Sequence, residues 1–180
     1  MIYVFLANGF EEIEALMPID ILRRAGLEVT TVAVGSSKTV EGAHGISVVA
    51  DIHESELSLV SPEAIILPGG MPGTTNLEES AIVVDAIHLA MQSDALVCAI
   101  CAAPSILGIM GYLKHKNATC FPGFEEYLDG ATYKDERVVK DGRIITSKGM
   151  GCAADFGLAI VEALLGKDKA DAIASSAFIR

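Results

Sequence analysis

The sequence predicts an α/β fold in which a mostly parallel β-sheet carries helices on both faces. Short runs rich in Val, Ile and Leu alternate with segments of helical periodicity, as expected for a sheet buried on both sides. The chain has 180 residues, of which 51% are hydrophobic, and this is enough for one large core. Glycines and a cysteine directly follow several apolar runs, where loops leave the carboxyl ends of strands. We therefore expect a layered sandwich formed by a single domain over residues 1–180.

The elements follow from these patterns in chain order. Strands are predicted over Ile2–Ala7, Glu28–Gly35, Ala64–Pro68, Ala95–Ile100 and Ile144–Ser147. Helices are predicted over Glu12–Ala25, Ser80–Gln92, Ala102–Met110 and Ala153–Leu165, with a short final helix over Lys167–Ala177.

Two insertions interrupt the alternation of strands and helices. Residues 39–50, with Gly42 and Gly45 around His44, predict an antiparallel ribbon. Residues 138–145 place an Asp-Gly turn between two β-rich runs. We expect both at sheet edges.

The loops after the predicted strands collect the unusual residues of the chain. In open parallel sheets these loops meet at one crevice, which is the common place for a binding site. The sequence therefore predicts one crevice lined by Asn8-Gly9, Gly69-Gly70, Cys101 and Gly149-Met150-Gly151.

Cys101 stands at a predicted sharp turn from strand to helix. It ends an apolar run, and Ala102, Ala103 and Pro104 then open a helix. A sulfur at that position faces free N–H groups and the positive end of the helix dipole, which favour the thiolate. The alternative is that Cys101 is one more small buried hydrophobe.

Glu14 falls on one helical stripe with Pro18, Ile21 and Ala25, so its carboxyl faces an apolar surface. Burial without a cation predicts a raised pKa for this carboxyl. The alternative places the carboxyl at the edge of the stripe, in solvent. Acidic residues in a first turn complement the helix dipole, which is the simpler explanation for Glu11 and Glu12.

A protonated carboxyl beside a thiolate can bind the sulfur and exchange protons with it. Cys101 and Glu14 are therefore candidates for a minimal catalytic pair. The backbone N–H groups of Gly70 and Ala102 are candidates for an oxyanion pocket, although Gly69-Gly70 could equally form a plain turn.

The other cysteines and the histidines give weaker signals. Cys98 is predicted to be core, because in an extended strand it lies about 10 Å from Cys101 on the opposite face. Cys152 is either a helix cap or a secondary thiol. His44 is the histidine best placed to reach the crevice. No second close Cys/His pair exists to complete a zinc site, so no metal is predicted.

Charge and composition exclude several classes of partner. The formal net charge is −11, with 13 basic and 24 acidic residues, and such a surface repels nucleic acid. Four scattered cysteines indicate reduced thiols in the cytoplasm. The first segment has no Lys or Arg before Arg23 and so lacks the positive region of a signal peptide.

The uncharged stretch 95–113 is long enough to span a bilayer. However, Pro104, Gly108 and Gly111 interrupt it, which favours a strand, an elbow and a buried helix. No membrane span is expected.

Four segments together resemble the ThiJ/PfpI superfamily, and within it the DJ-one-like branch of the parkinsonism-linked protein deglycase. They are Asn-Gly-Phe-Glu-Glu-Ile-Glu at 8–14, Ile-Leu-Pro-Gly-Gly at 66–70, Ala-Ile-Cys-Ala-Ala-Pro at 99–104 and Thr-Ser-Lys-Gly-Met-Gly at 146–151. The match runs from about residue 2 to the tail in the expected order.

This resemblance implies a flavodoxin-like three-layer sandwich, a homodimer, an oxidisable nucleophilic Cys101 and a partner carboxyl at Glu14. It also implies that the backbone N–H groups of Gly70 and Ala102 support the sulfur. Arg24 and His44 match positions where family members place polar residues near the dimer interface.

The chain departs from the family pattern after the nucleophile helix. Where several members have a histidine before a proline, this sequence reads Phe121-Pro122. The third catalytic group is missing, and Ala102 stands where the protease-like branch has a histidine. Peptidase activity is therefore disfavoured.

Two functions remain open. The first is a cofactor-independent enzyme that acts on small reactive carbonyls, as a glutathione-independent glyoxalase or a deglycase, with Cys101 as nucleophile and Glu14 as acid and base. The second is a redox-responsive stress protein or chaperone, in which Cys101 is oxidised to a sulfinate held by Glu14 and the Gly70 amide, without turnover.

Overall fold

A seven-stranded sheet forms the centre of the computed structural model, which describes residues 1–59 and 62–179. In chain order, the strands of the described residues are β1 (Ile2–Ala7), β2 (Val29–Val34), β3 (Thr39–Glu41), β4 (Ser47–Val49), β5 (Ile52–His53), β6 (Ala64–Leu67), β7 (Leu96–Ile100), β8 (Asn117–Ala118), β9 (Thr132–Tyr133), β10 (Val138–Asp141) and β11 (Ile144–Ser147). The central sheet has the order β10-β11-β7-β6-β1-β2-β5. All its pairs are parallel except β10 with β11.

Helices cover both faces of this sheet. They are α1 (Glu12–Arg24), α2 (Gly73–Glu78), α3 (Ala81–Gln92), α4 (Pro104–Ile109), α5 (Ala153–Leu165) and α6 (Lys167–Ser176). One apolar core packs α1 and α5 against the sheet, and a second packs α2, α3 and α4 against its other face. The predicted mostly parallel, flavodoxin-like sandwich is confirmed.

The burial of the central strands explains why apolar runs in the sequence predicted them. Every residue of β1, β6 and β7 is buried, because helices lie on both sides of these central strands. The structure reproduces the predicted bounds of β1, β11 and α5, and the other predicted strands and helices differ by one or two residues at their ends.

The nucleophile helix is shorter than the prediction of Ala102–Met110. Ala102 and Ala103 belong to the turn after β7, and α4 starts at Pro104, whose fixed φ suits the first turn of a helix. In the described ranges, no helix combines the length and hydropathy that a bilayer span needs. The uncharged stretch 95–113 is instead divided among β7, the turn at Cys101 and α4.

The ribbon at residues 39–50 is antiparallel as predicted, but its predicted place at a sheet edge is wrong. Strands β3 and β4 form a two-stranded sheet of their own, and β5 occupies that edge of the central sheet. The ribbon lies beside the start of α1, where Phe10 and Gly42 form a parallel bridge. The hairpin of β10 and β11 does lie at the opposite edge, as expected.

Candidate active site

Cys101 lies in a strained backbone conformation between β7 and α4. Its φ of 65° is in the left-handed region, which costs energy for a residue with a Cβ. Two hydrogen bonds fix the turn: the Cys101 N–H donates to the Ser147 carbonyl at 2.9 Å, and the Phe121 N–H donates to the Cys101 carbonyl at 2.8 Å. The predicted elbow is therefore present, and three separate chain segments hold it.

Glu14 places a buried carboxyl against this elbow. The residue is 1% exposed, and its Oε2 accepts a 3.0 Å hydrogen bond from the Gly69 N–H. Pro18, Ile21 and Ala25 are buried on the same stripe of α1, so the predicted apolar surroundings are confirmed. Burial, helped by the charge of Glu11, raises the pKa of Glu14 to about 7, although hydrogen bonds with Cys101, Gly69 and Met150 oppose the shift.

The thiol of Cys101 responds to the same environment. Burial is the largest effect, and with the charge and hydrogen bond of Glu14 it raises the pKa of Cys101 to about 12. The N–H groups of Gly70 and Ala102 lower that pKa, but by less. The N–H groups act in the expected direction, but burial and Glu14 outweigh them, so the expectation that this environment favours the thiolate is wrong. The sulfur gives up its proton only if Glu14 takes or already holds one.

Close packing explains why glycine occupies position 69. A Cβ on Gly69 would lie 2.5 Å from the Cβ of Cys101 and 2.6 Å from Oε2 of Glu14. Gly70, at φ 89°, adopts a backbone conformation that side chains rarely take, and its Cβ would lie 2.4 Å from the Glu11 nitrogen. Gly69 therefore packs against both Glu14 and Cys101, and the Gly70 N–H lies at the Cys101 sulfur.

The remaining loops of the predicted crevice divide into two groups. A Cβ on Gly149 would lie 3.6 Å from Glu14 Oε1, so this loop belongs to the Cys101 crevice. Gly9 contacts the start of α2, where its carbonyl accepts from the Gly73 N–H at 3.2 Å. Asn8 instead lines a separate cavity beside β2, and its side chain binds the Glu41 N–H.

His44 binds Glu12 instead of Cys101. The ring Nδ1 of His44 lies 2.8 Å from Glu12 Oε2, and the backbone N–H of His44 donates to Glu12 Oε1 at 2.8 Å. This hydrogen bond and the Glu12 charge raise the pKa of His44. The 2% exposed Glu12 therefore ties the ribbon to α1, a role that the dipole explanation missed. Gly42 is the sequence signal for it, because a Cβ at this position would lie 2.3 Å from Glu12 Oε1.

Glu11, Glu12 and His44 bring ligand atoms within 4.8 Å of one another, as a metal site would. These groups are already engaged. Glu11 caps α1 by accepting the Glu14 N–H at 2.7 Å, and Glu12 accepts from the ribbon. The arrangement therefore has a structural explanation as a clamp, and we do not propose a metal there.

The other candidate residues lie apart from this pair. Arg24 forms an exposed ion pair with Asp20 at 2.6 Å. Cys152 is buried at the start of α5, where its N–H donates to the Gly149 carbonyl at 2.7 Å. Cys98 is fully buried inside β7, as predicted, and burial raises its pKa. All four cysteines lie in the described ranges and are free thiols.

No histidine ring hydrogen-bonds to Cys101 within the described residues. The rings of His44, His53 and His88 bind Glu12, Gly35 and Tyr112 instead. Phe121 lies at the crevice, where a Cβ on Gly149 would be 3.3 Å from its ring. The site therefore holds a cysteine and a carboxyl without the imidazole of a protease triad.

Residues 1–163 match the model of the DJ-1/PfpI family. The chain belongs to the DJ-1/PfpI family. It is 38% identical to Protein DJ-1 homolog A of Arabidopsis thaliana over 97% of its length, and it spans 45% of that longer relative. It is 35% identical to the glutathione-independent glyoxalase DJR-1.2 of Caenorhabditis elegans, covering 91% of this chain and 87% of the relative.

The solved structures of this family show the same fold. Toxoplasma gondii DJ-1, described as oxidized, superposes with a TM-score of 0.95 at 33% sequence identity. That comparison covers 98% of this chain and 97% of the other. The DJ-1/PfpI fold thus holds over nearly the whole chain.

Proposed function

We propose that this protein is a cysteine-dependent, cofactor-independent enzyme for small reactive carbonyls, of the glutathione-independent glyoxalase or deglycase type. The observation that carries the proposal is the buried Glu14 carboxyl, hydrogen-bonded to Cys101 at a strained elbow. The glyoxalase name of the Caenorhabditis elegans relative supports the same reaction class.

The first step uses the proton that the pair shares. Ionised Glu14 takes the thiol proton as the sulfur of Cys101 attacks the aldehyde carbon of methylglyoxal. The C=O bond opens, and the oxygen receives that proton, which gives a hemithioacetal. The N–H groups of Gly70 and Ala102, which already bind the sulfur, are close enough to stabilise developing oxygen charge.

The second step moves hydrogen between neighbouring carbons. Glu14 removes the proton on the hemithioacetal carbon and delivers it to the ketone oxygen, which gives an enediol. The hydroxyl proton of the sulfur-bearing carbon then passes through Glu14 to the adjacent carbon as the thioester carbonyl forms. The product is a lactoyl thioester on Cys101. Water cleaves the thioester, which releases lactate and regenerates the thiol. The overall reaction converts methylglyoxal and water to lactate without an external oxidant or reductant. A carboxyl with a pKa of about 7 suits both donation and acceptance near neutral pH.

The test is lactate formation from methylglyoxal without glutathione. We expect turnover in the wild type and its loss in Cys101→Ser and in Glu14→Gln. Cys98→Ala, which removes a thiol from the core, and Glu28→Gln, which neutralises an exposed carboxyl, are the matched controls. Absence of wild-type turnover, or turnover that persists in both site variants, would overturn the proposed enzymatic activity.

A redox-responsive protein or chaperone is the second candidate, favoured by the donors around the sulfur. A protonated Glu14 and the N–H groups of Gly70 and Ala102 could hold the oxygens of a Cys101 sulfinate. The solved structure of Toxoplasma gondii DJ-1 is of an oxidized protein, which supports this alternative. Peroxide should then add two oxygen atoms to Cys101, seen by peptide mass spectrometry, and Glu14→Asp should loosen the grip on the sulfinate and allow a third.

We also propose a homodimer. Ile13, Leu16 and Met17 are 36–42% exposed on one side of α1, and Ile46 and Val49 are exposed on the neighbouring ribbon. A second copy would cover this apolar surface. Light scattering after gel filtration should give twice the chain mass, and Leu16→Glu should shift it to the monomer.

The four free thiols support a reducing compartment such as the cytoplasm. The net charge of −11 supports a protein that does not bind nucleic acid.

A further inference from the structure

A cavity of about 430 Å³ lies between α2, α4 and the segment around Phe124, and part of its wall comes from chain segments that follow the Cys101 elbow. Its large apolar and aromatic lining residues are Met71, Ile109, Phe124 and Tyr127. Cavities of this size are typical of sites for small molecules. The reaction proposed above does not use this space, since methylglyoxal has only a methyl group beyond its two carbonyls.

The segments that hold Cys101 also build the cavity. Met71 directly follows Gly70, whose N–H binds the sulfur, and Ser105 lies three residues beyond Ala102, the second N–H donor. Gly123 and Phe124 follow Phe121, whose N–H binds the Cys101 carbonyl. The chain segments that position the sulfur therefore also supply walls of the cavity, so a group attached to a carbonyl at Cys101 is directed towards it.

The rim of this region leaves unusually large apolar side chains in solvent. Met71 is 52% exposed, Ile109 54% and Tyr127 45%, and Phe121 and Met150 beside the crevice are 47% and 56% exposed. Met71, Ile109 and Tyr127 line the same cavity, and grouped exposed apolar side chains of this kind are typical of binding sites.

The lining also selects the charge of that occupant. None of the described lining residues is a Lys, Arg or His, and Glu78 adds a carboxyl. A phosphate, carboxylate or glutathione group would meet no cation here and would be repelled by this acid. A neutral aryl or branched alkyl group would bury its surface against Met71, Phe124 and Tyr127.

We propose that this cavity binds the substituent of the substrate, so that the carbonyl compounds handled at Cys101 are α-oxoaldehydes with a neutral aryl or bulky alkyl group. This inference rests on the proposed carbonyl chemistry at Cys101. Ile109 and Tyr127 then set specificity without touching the reacting atoms.

The first experiment compares phenylglyoxal with methylglyoxal. We expect kcat/KM to be at least about tenfold higher for phenylglyoxal, the gain expected when a pocket accepts additional apolar carbon. In Tyr127→Ser and Ile109→Asn this ratio should fall several-fold. Both side chains are about half exposed, so the core is spared. Leu165→Ser is the matched control, because Leu165 is similarly exposed, at 45%, at the end of α5 away from the cavity.

A second measurement tests the cavity without turnover. Iodoacetanilide and iodoacetamide share one reactive carbon: the Cys101 sulfur forms the new S–C bond, iodide leaves and the thiol proton passes to solvent. The anilide should alkylate Cys101 about tenfold faster or more, and this preference should disappear in Tyr127→Ser.

The outcomes separate the two proposals. If neither aldehyde is turned over but the preference for the anilide is preserved, the proposed enzymatic activity is overturned and the proposed binding of aryl groups in the cavity is supported. Equal treatment of both aldehydes and both alkylating agents, unchanged in the Tyr127 and Ile109 variants, would overturn the cavity and leave the enzyme intact.

Discussion

The Glu14 carboxylate accepts a 3.0 Å hydrogen bond from the backbone N–H of Gly69, in a site where the side chain is 1% exposed. Hydrogen bonds with Gly69, Met150 and Cys101 offset only part of the cost of burying this charge, and the pKa of Glu14 therefore rises to about 7. The same carboxyl faces Cys101, so its protonation state governs the nucleophile.

The first prediction concerns stability against pH. The folded state binds the Glu14 proton more tightly than the unfolded chain, whose carboxyl has the ordinary pKa of 4.5. This contribution is complete below about pH 4.5 and is lost as pH rises to about 7, a change of about 3 kcal/mol in unfolding free energy. Urea unfolding of the wild type should show that fall, and Glu14→Gln should lack it. Parallel curves for the two proteins would contradict the assignment.

The second prediction concerns the space at Gly69. Gly69→Ala should lower turnover by about 100-fold, because the new methyl must push Glu14 and Cys101 apart by about 1 Å. Steady-state kinetics with methylglyoxal would measure this.

Gly151→Ala is the control for that change. It stands in the loop after β11, and a Cβ there meets nothing within 4 Å. Its kcat/KM should stay near the wild-type value, and an equal loss in both variants would remove the argument from close packing.

The backbone of the site was largely predictable from the sequence, because its causes are local. The apolar runs end at Gly69 and Cys101, and the stripe of Glu14, Pro18 and Ile21 gives the buried carboxyl directly. The raised pKa of Glu14 followed from the same pattern.

What the sequence did not reveal depends on distant or weak signals. Helix α2 was missed because it has little apolar periodicity, and it is held instead by Thr74, whose N–H and hydroxyl both donate to the Gly70 carbonyl at 2.9 Å. The Glu12 clamp joins residues 32 positions apart. The pKa of Cys101 depends on how deeply the fold buries it, which no spacing reports.

The third prediction concerns the Glu12 clamp. Burial alone would raise the pKa of Glu12, but hydrogen bonds from His44 and from backbone N–H groups bring it below its ordinary value. Glu12→Ala removes the acceptor for the His44 and Ile46 amides and should cost about 2 kcal/mol of stability. Hydrogen exchange at these two amides should accelerate, while exchange in β1 stays slow.

The pH dependence of the ribbon follows from the same clamp. The pKa of His44 is raised in the folded state, so its contribution is complete below the unfolded pKa and is lost as pH rises through the folded pKa. Amide protection in the ribbon, corrected for intrinsic exchange, should fall over that range in the wild type. His44→Gln should abolish this step, and a step that persists would assign it to another group.

The fourth prediction uses the departure at Phe121. Its N–H binds the Cys101 carbonyl, and its ring is 47% exposed at the crevice, so Phe121→His places an imidazole beside the thiol with little change in the core. A protonated imidazole opposes the burial and the Glu14 charge that raise the pKa of Cys101. Lowering the pKa of Cys101 by one unit would give about tenfold more thiolate. Iodoacetamide should then alkylate Cys101 faster by that factor near pH 6. The advantage should shrink above about pH 7, as the imidazole loses its charge. Phe121→Ala is the control, because it opens the crevice without adding charge, and equal rates for the alanine and histidine variants would show that access, not charge, limits the thiol.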